Sequence, residues 1–282
     1  MRRHVLMALV WFTWMWPGVS SAQTLAQFHT PLGDMLVRLC DADKPVTVQN
    51  FLRYVESGAY QDMLMHRWVA GFVLQGGGFY TANRFATNAN ISAVPNFGAI
   101  TNEYGIGRTF SNLYGTLAMA RVGGLTNSAS SQWFFNLVDN AFLDTVDGGF
   151  TVFGQVVLGT NVLNRFNNTS VANGIFPLNI GAPLDHLPVL LTNPTNEPTY
   201  EDLVYMVITL PAAPQLRIVA ATGGALELSW NSLSHFSNII EWTTNLPPVW
   251  QTLVATNGTG GTMQTTDTSG PGARRFYRLR LE

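Results

Sequence analysis

Residues 66–79 read HRWVAGFVLQGGGF, an apolar stretch that is interrupted by one arginine and one glutamine and ends in three glycines. Side chains two positions apart along a β-strand lie on the same face. Alternate residues from Arg67 to Gln75 therefore share one face, provided that no bulge intervenes at Gly71. A polar side chain on an apolar face is costly unless a polar group meets it there. The stretch thus predicts either a binding surface or a strand edge whose polar tips are solvated.

Three further blocks follow this stretch in order. They are LAMARV at 117–122, NSASSQWFFN at 127–136, and FLD at 142–144 followed by TVFG at 151–154. In sequence, order and spacing the four blocks together resemble the signature of cyclophilin-type peptidyl-prolyl isomerases, and the third resembles the form found in bacterial members. The resemblance covers residues 28–210 and is strongest over 66–154.

The resemblance implies a catalytic role for Arg67. Rotation about an X-Pro amide crosses a barrier of about 18–20 kcal/mol, and the uncatalysed exchange takes about 10–100 s. Because no covalent bond changes, neither a nucleophile nor a metal nor a cofactor is required, only surroundings that favour the twisted amide over the planar one. Twisting localises the lone pair on the prolyl nitrogen, and the resemblance makes Arg67 the cation that donates to it.

The same resemblance implies the other site residues. Phe72 and Gln75 complete the catalytic set, and Gln75 is expected to bond the substrate backbone and to steady Arg67. The remaining residues expected to contact the substrate are Val73, Phe134 and Leu143 around the proline ring, the backbone of Ala120 and Arg121, and the aromatic residues Phe142 and Phe150. Without the four blocks, Phe72, Phe134 and Leu143 would be interpreted as ordinary barrel core.

The chain departs from the family pattern at several of these positions. Ala70 stands where a proline is common, and Val73 stands where methionine is commoner and shortens one wall of the pocket. Phe150 aligns with a pocket histidine, a change that we expect to leave activity intact. Arg121 replaces a small polar residue beside the groove. It could bias substrates toward acidic neighbours or simply be solvated, and we favour solvation.

Composition excludes some function classes and limits others. The 282 residues are 46% hydrophobic and 11% charged, with a net charge of −2, so no basic stripe is available for nucleic acid. The single cysteine, Cys40, allows no internal disulfide and is predicted to pack as a small hydrophobe rather than to act as a nucleophile. The histidines show no metal-ligand spacing with Cys, Asp or Glu, so no metal site is predicted; those considered are His29, His66, His186 and His235.

Residues 1–22 predict a secretory signal peptide. Arg2 and Arg3 precede an apolar stretch from Val5 to Trp16, and small residues lie before Gln23. The apolar stretch, about 12 residues long, is short for a membrane span of about 20 residues. Signal cleavage would leave an exported protein, periplasmic or secreted, without stable membrane insertion, and a retained N-terminal anchor is the alternative.

The remaining chain predicts a mainly β protein in two domains. Residues 23–211 carry at least six short strands and two amphipathic helices, the first capped by Thr47 and ended by Gly58. This pattern favours a cyclophilin-like closed antiparallel β-barrel capped by two helices. After a proline-rich break, alternating strands in residues 212–282 predict a small β-sandwich that resembles fibronectin type III or immunoglobulin-like modules.

Two functions fit this organisation. The first is a prolyl isomerase that acts on proline-containing polypeptides and assists the folding of exported proteins. The second is a non-catalytic peptide-binding module whose C-terminal domain provides surface targeting or polysaccharide contact. For the latter, Trp230 and Trp242 are predicted to be core, and Trp250 is the best candidate for an exposed aromatic surface.

Overall fold

The structure, a computed structural model, describes residues 23–86, 89–168, 171–193, 195–245, 247–268 and 274–282. The predicted signal peptide at 1–22 lies outside the described residues. No helix within those ranges is both long enough and apolar enough to cross a membrane.

Short strands dominate the described chain. The helices are α1 Pro45–Glu56 and α2 Thr160–Asn167. In chain order the strands are β1 Leu25–Thr30, β2 Gly33–Leu39, β3 Met63–Leu64, β4 Arg67–Val69, β5 Val73–Gly76, β6 Phe79–Ala82, β7 Asn90–Ala93, β8 Thr116–Met119, β9 Trp133–Asn136, β10 Val152–Leu158, β11 Ile175–Leu178, β12 Leu187–Leu190, β13 Val207–Thr209, β14 Leu216–Ala220, β15 Leu226–Asn231, β16 Ser237–Thr243, β17 Gln251–Asn257, β18 Thr262–Asp267 and β19 Phe276–Leu281.

An eight-stranded antiparallel sheet forms the first part of the molecule, in the order β13-β1-β2-β10-β8-β9-β5-β4. Its two outer strands are linked by the segments that precede them. The amide of Met65 donates to the carbonyl of Val204, and the amide of Met206 donates to that of Met63, both at 2.9 Å. These bonds cover strand edges that would otherwise expose unpaired backbone groups. The prediction of a mainly β, barrel-type fold with two helices is confirmed.

Helix α1 buries its apolar face in the largest hydrophobic cluster and begins differently from the prediction. Pro45 occupies its first turn, where a missing N–H costs nothing. Thr47 provides no side-chain cap; instead the carboxylate of Glu103 accepts hydrogen bonds from the amides of Val46 and Thr47, at 3.2 and 2.7 Å. A carboxylate at a helix N-terminus satisfies free amides and favours the helix dipole. The cap therefore comes from a distant loop rather than from the helix itself.

Lys44, immediately before α1, is almost completely buried. Its ammonium donates to three backbone carbonyls, those of Glu103, Tyr104 and Ile106. Burial lowers the pKa of this lysine, and the nearby Glu103 carboxylate acts in the opposite direction. The only lysine in the sequence thus fastens the loop at 103–106 to the start of α1.

The C-terminal part consists of two three-stranded antiparallel sheets, β14-β15-β18 and β17-β16-β19. Leu228 and Trp230 from the first sheet and Ile240 from the second form a common core. The prediction that Trp230 is core is confirmed, since it is 2% exposed. Trp242 is only half-buried, beneath the guanidinium of Arg275.

Candidate functional site

The segment at 66–79 folds as a hairpin of β4 and β5. Strand β4 ends at Val69, and the amide of Phe72 donates to the carbonyl of Val69 at 3.0 Å before β5 begins. Gly71 lies in this turn with φ of +70°, a conformation that glycine adopts without strain. The chain turns at Gly71, so the condition set on that residue is not met, but Arg67 and Gln75 still share a face because the hairpin places them directly opposite each other.

A row of directly paired residues crosses the sheet from this hairpin. Gln75 on β5 pairs with Phe134 on β9, Phe134 pairs with Ala118 on β8, and Ala118 pairs with Val152 on β10. Directly opposed residues point their side chains to the same face of a sheet. Arg67, the first member of the row, therefore shares a face with Phe134.

The opposite face of the same strands forms the interior of the barrel. Leu74, Leu117 and Phe135 alternate with the row residues and are fully buried in the largest hydrophobic cluster. Val73 and Phe134, together with Leu143 from the loop after β9, belong to a separate cluster. Phe134 and Leu143, with Phe72 packed against them, therefore belong to this separate cluster and not to the barrel core with which they would otherwise be grouped.

Aromatic rings surround this second cluster, which we call the apolar hollow; its buried members are Val73, Ala118, Phe134, Leu143 and Val152. The rings of Phe72 and Phe142 stack with centroids 5.9 Å apart, and those of Phe134 and Phe150 meet edge to face at 5.8 Å. Phe142 is 57% exposed, so the hollow is rimmed by an aromatic side chain that still faces solvent.

Arg67 lies at the edge of the apolar hollow. Its guanidinium carbon is 5.8 Å from the centroid of the Phe72 ring, and the side chain is half-buried. Among the residues that the structure describes, the Arg67 guanidinium donates no hydrogen bond to a side chain or to the backbone, and it forms no ion pair within 4 Å. An arginine held beside an apolar surface with unused donors can bond to a group that enters the hollow.

Gln75 is fixed by a residue absent from the predicted set. Its amide nitrogen donates to the side-chain oxygen of Gln132 at 2.7 Å. Gln132 stands two positions before Phe134 in the third block, so alternation within that block was the signal that could have identified it. No hydrogen bond from Gln75 to Arg67 occurs in the described chain, so the expectation that Gln75 steadies Arg67 stays a prediction.

The three glycines after Gln75 allow close packing rather than forming a phosphate loop. An added Cβ at Gly77 would lie 2.3 Å from the carbonyl oxygen of Ser131, and one at Gly78 would lie 2.8 Å from the ring of His66. His66 is itself buried, and burial lowers its pKa to about 4. The imidazole is therefore neutral at neutral pH.

Asparagine side chains hold the Phe72 turn in place. Asn140 donates to the carbonyl of Phe72 at 2.9 Å and to the side chain of Asn136 at 2.8 Å. The amide of Leu137 donates to the same Phe72 carbonyl. The sequence did not predict a role for these asparagines, because nothing in their spacing indicates that they contact a turn more than 60 positions earlier.

Arg121 is not solvated, contrary to the interpretation that the sequence favoured. Its guanidinium donates to the carbonyls of Val146 and Gly149, at 2.8 and 3.2 Å, and its carbon lies 4.3 Å from the centroid of the Phe150 ring. Burial lowers its pKa. The side chain clamps the loop at 146–149 against the rim of the hollow.

Fewer backbone groups of Ala120 and Arg121 are free to pair with a substrate than predicted. The amide of Ala120 donates to the carbonyl of Gln132 at 2.9 Å, so this N–H is already engaged. A peptide could still pair with the remaining backbone groups of the two residues. Only part of the expected backbone contact is available.

Comparisons with known proteins identify the family to which the chain belongs. A sequence profile described as "Cyclophilin type peptidyl-prolyl cis-trans isomerase/CLD" matches residues 25–181. Peptidyl-prolyl cis-trans isomerase A of Dickeya dadantii is 38% identical over 157 residues, covering 55% of this chain and 76% of that protein. Peptidyl-prolyl cis-trans isomerase B of Escherichia coli is 36% identical over 151 residues, covering 52% of this chain and 85% of that protein. A crystal structure of a cyclophilin-type isomerase from Cryptosporidium parvum has a TM-score of 0.46 and 19% identity, and the match covers 68% of this chain and 99% of that one. The profile matches more than half of the 282 residues, and the chain belongs to the cyclophilin-type peptidyl-prolyl cis-trans isomerase family.

Proposed function

We propose that this protein catalyses cis–trans isomerisation of X-Pro bonds in polypeptides, with Arg67 as the catalytic cation. One observation carries the proposal most directly. The Arg67 guanidinium lies beside an apolar hollow that is separate from the barrel core, and its donors bond to no other side chain or backbone group of the described residues. Membership of the family and the isomerase names of the relatives support the same activity.

The chemistry follows from what changes when the amide rotates. In the planar amide the nitrogen lone pair is delocalised, so the nitrogen accepts hydrogen bonds poorly. In the twisted amide the lone pair is localised, and a fixed cationic donor stabilises that state more than the ground state. Only such a difference in stabilisation accelerates the reaction. A preorganised donor in a partly dry site contributes about 2.7–4 kcal/mol in comparable oxyanion sites.

The other side chains have supporting roles in this proposal. The apolar hollow, with Val73, Phe134 and Leu143, receives the pyrrolidine ring, and the Phe72, Phe142 and Phe150 rings limit how it lies. Gln75, oriented by Gln132, bonds the substrate backbone. Ala120 and Arg121 border the peptide on the side that precedes proline, with Arg121 acting mainly as a clamp on the rim.

A substitution at Arg67 tests the proposal. In a protease-coupled assay on a short Ala-Pro peptide, we expect Arg67→Ala to lower kcat/KM by about 10²–10³-fold. The matched control is Arg53→Ala, because Arg53 also lies over a phenylalanine, 4.6 Å from the ring centroid of Phe97, but on α1. Equal rates for the wild type and Arg67→Ala would refute catalysis by Arg67. Retained peptide affinity without any isomerase rate in the wild type would favour the non-catalytic peptide-binding function.

We further propose that the protein is exported and assists the folding of exported, proline-containing polypeptides. The charge, apolar stretch and small residues of 1–22 support export. N-terminal sequencing of the mature protein from the periplasm or medium is expected to begin at Gln23. A chain found only in the cytoplasm with Met1 intact would contradict export.

The division into domains at 23–211 and 212–282 is also a proposal. Separate hydrophobic cores support it, since Leu228, Trp230 and Ile240 pack with neighbours from the C-terminal strands only. A fibronectin type III or immunoglobulin-like identity rests on the same two-sheet arrangement. No observation favours polysaccharide contact: Trp250, the candidate for that surface, is half-buried with the guanidinium of Arg278 4.3 Å from its ring centroid.

A further inference from the structure

The barrel and the C-terminal strands meet at a specific junction. Leu36 on β2 packs with Leu233 and Phe236, which lie in the loop between β15 and β16. Gln27 on β1 donates through its side chain to the carbonyl of Ser234 at 3.0 Å. The β1–β2 hairpin therefore faces the loop at 232–236.

Two histidines from the two sides of this junction converge on one carboxylate. The Oδ2 atom of Asp34 is 2.8 Å from Nδ1 of His29 and 2.6 Å from Nδ1 of His235. The three ligand atoms lie within 4.8 Å of one another. The side chain of Asp34 is 8% exposed, whereas that of His235 is 68% exposed. Local spacing in the sequence, from which no metal site was predicted, could not indicate this cluster, because two of its residues are 201 positions apart.

We propose that His29, Asp34 and His235 bind a divalent transition metal, zinc being the best match, and that the metal links the barrel to the C-terminal strands. Two imidazole nitrogens and one carboxylate oxygen are a donor set that zinc accepts, with water as the fourth ligand. Metal-to-ligand distances of about 2.0–2.2 Å place tetrahedral donor atoms about 3.3 Å apart. Reaching that spacing lengthens the contacts of 2.6 and 2.8 Å by less than 1 Å each. The two imidazole nitrogens, which lie within 4.8 Å of each other, must also come to about 3.3 Å, and the exposed ring of His235 is free to move.

The groups around the cluster are those that a metal site needs. Nε2 of His29 lies 3.0 Å from the hydroxyl of Thr209, so the ring can donate there and present the Nδ1 lone pair to a metal. Gln27 donates to Oδ2 of Asp34 at 2.8 Å and orients the carboxylate. Such partners fix the tautomer of a ligating histidine and the direction of a ligating carboxylate.

The backbone at His235 gives an additional indication. Its φ is +67°, a left-handed conformation that few non-glycine residues adopt. Outliers of this kind persist only where surrounding contacts hold them, and they are common at ligand sites. Here the ring of His235 is directed to the Asp34 carboxylate. Binding leaves each neutral imidazole with its one proton on Nε2, so no oxidant or other co-reactant is required.

Titration of the metal-free mature chain, residues 23–282 without a polyhistidine tag, tests the site independently of isomerase activity. We expect calorimetry to give one zinc per chain. We also expect cobalt to produce the absorption bands of a tetrahedral complex, and zinc at about 100 times its Kd to raise Tm by about 5 °C. His235→Gln and Asp34→Asn are expected to weaken zinc binding by at least about 100-fold. The matched control, His186→Gln, removes a surface histidine paired with Asp185 and should bind zinc normally.

Two outcomes would overturn the proposal. One is wild-type protein that takes up no stoichiometric zinc or gives no tetrahedral cobalt bands. The other is His235→Gln protein that binds zinc as tightly as the wild type. If His235→Gln lowers Tm equally with and without zinc, the cluster is a hydrogen-bonded junction only. Circular dichroism and the isomerase rate of each variant establish that a loss of binding does not result from unfolding.

Discussion

Acid should destabilise this protein through His66, and the size of the effect follows from its surroundings. The ring is 3% exposed and meets the ring of Phe79 edge to face. Burial, the largest cause, and then the charge of Arg67 lower its pKa, while a hydrogen bond that the ring donates to Gln132 partly opposes them. The pKa falls from 6.5 to about 4. At about 1.4 kcal/mol per pH unit, this difference corresponds to about 3 kcal/mol.

The sign follows from proton binding in the two states. Above pH 6.5 His66 is neutral in both the folded and the unfolded chain, so this residue costs no stability through its charge. Between pH 6.5 and 4 the unfolded chain binds a proton that the folded protein does not, and the free energy of unfolding decreases as the pH falls. Below pH 4 both states are protonated, and the decrease from this residue ends.

Urea denaturation at intervals from pH 4 to 8 measures this effect. His66→Phe removes the titrating ring but keeps an apolar aromatic group, so its free energy of unfolding should decrease by about 3 kcal/mol less than that of the wild type over this range. If the free energy of unfolding of the wild type and that of His66→Phe change equally with pH, then folding does not keep the His66 ring neutral.

Other predictions concern Lys44, Gln132 and Cys40. Lys44→Met leaves three carbonyls without their buried donor, and we expect a loss of about 3–5 kcal/mol in urea denaturation; a loss below about 1 kcal/mol would contradict this account. Gln132→Ala frees the side chain of Gln75 and should lower kcat/KM less than Gln75→Ala does, and a variant with both changes should match Gln75→Ala. Cys40 has its pKa raised to about 11 by burial and nearby carboxylates, so labelling by a thiol reagent should be slow at pH 7 and accelerate about tenfold per pH unit up to about pH 10. A labelling rate that levels off near pH 8 would contradict a raised pKa at Cys40.

The sequence could predict what depends on local spacing. Helices α1 and α2 follow from apolar residues at helical intervals, and the buried faces of both agree with that pattern. The four blocks identified the family and most of the side chains around the apolar hollow. Those blocks are short segments whose own alternation determines which side chains face outward.

What the sequence could not predict depends on contacts between distant segments. Glu103 caps a helix that starts more than 50 positions earlier, and Arg121 finds carbonyls in a loop 25 positions later. Neither contact follows from strand or helix period, because a loop carries no period. The cluster of His29, Asp34 and His235 is the extreme case, since only the packing of the C-terminal strands on β1 and β2 brings the third residue to the other two.

The same strands provide both the stability and the site, and their register keeps these contributions apart. On β5, Leu74 enters the barrel core while Gln75 faces outward. On β9, Phe135 enters the core while Phe134 faces outward. A slip of one residue would exchange the faces, burying Gln75 and exposing Leu74. Close approach at the glycine run opposes such a slip in either direction. A slip would bring Gln75 to the place of Gly76 or Phe79 to the place of Gly78. An added Cβ at Gly76 would lie 2.9 Å from Sδ of Met65, and one at Gly78 would lie 2.8 Å from the ring of His66. The glycines that end the hairpin are therefore needed for the site as well as for the fold, since they allow only the register that places Arg67 and Phe134 on one face.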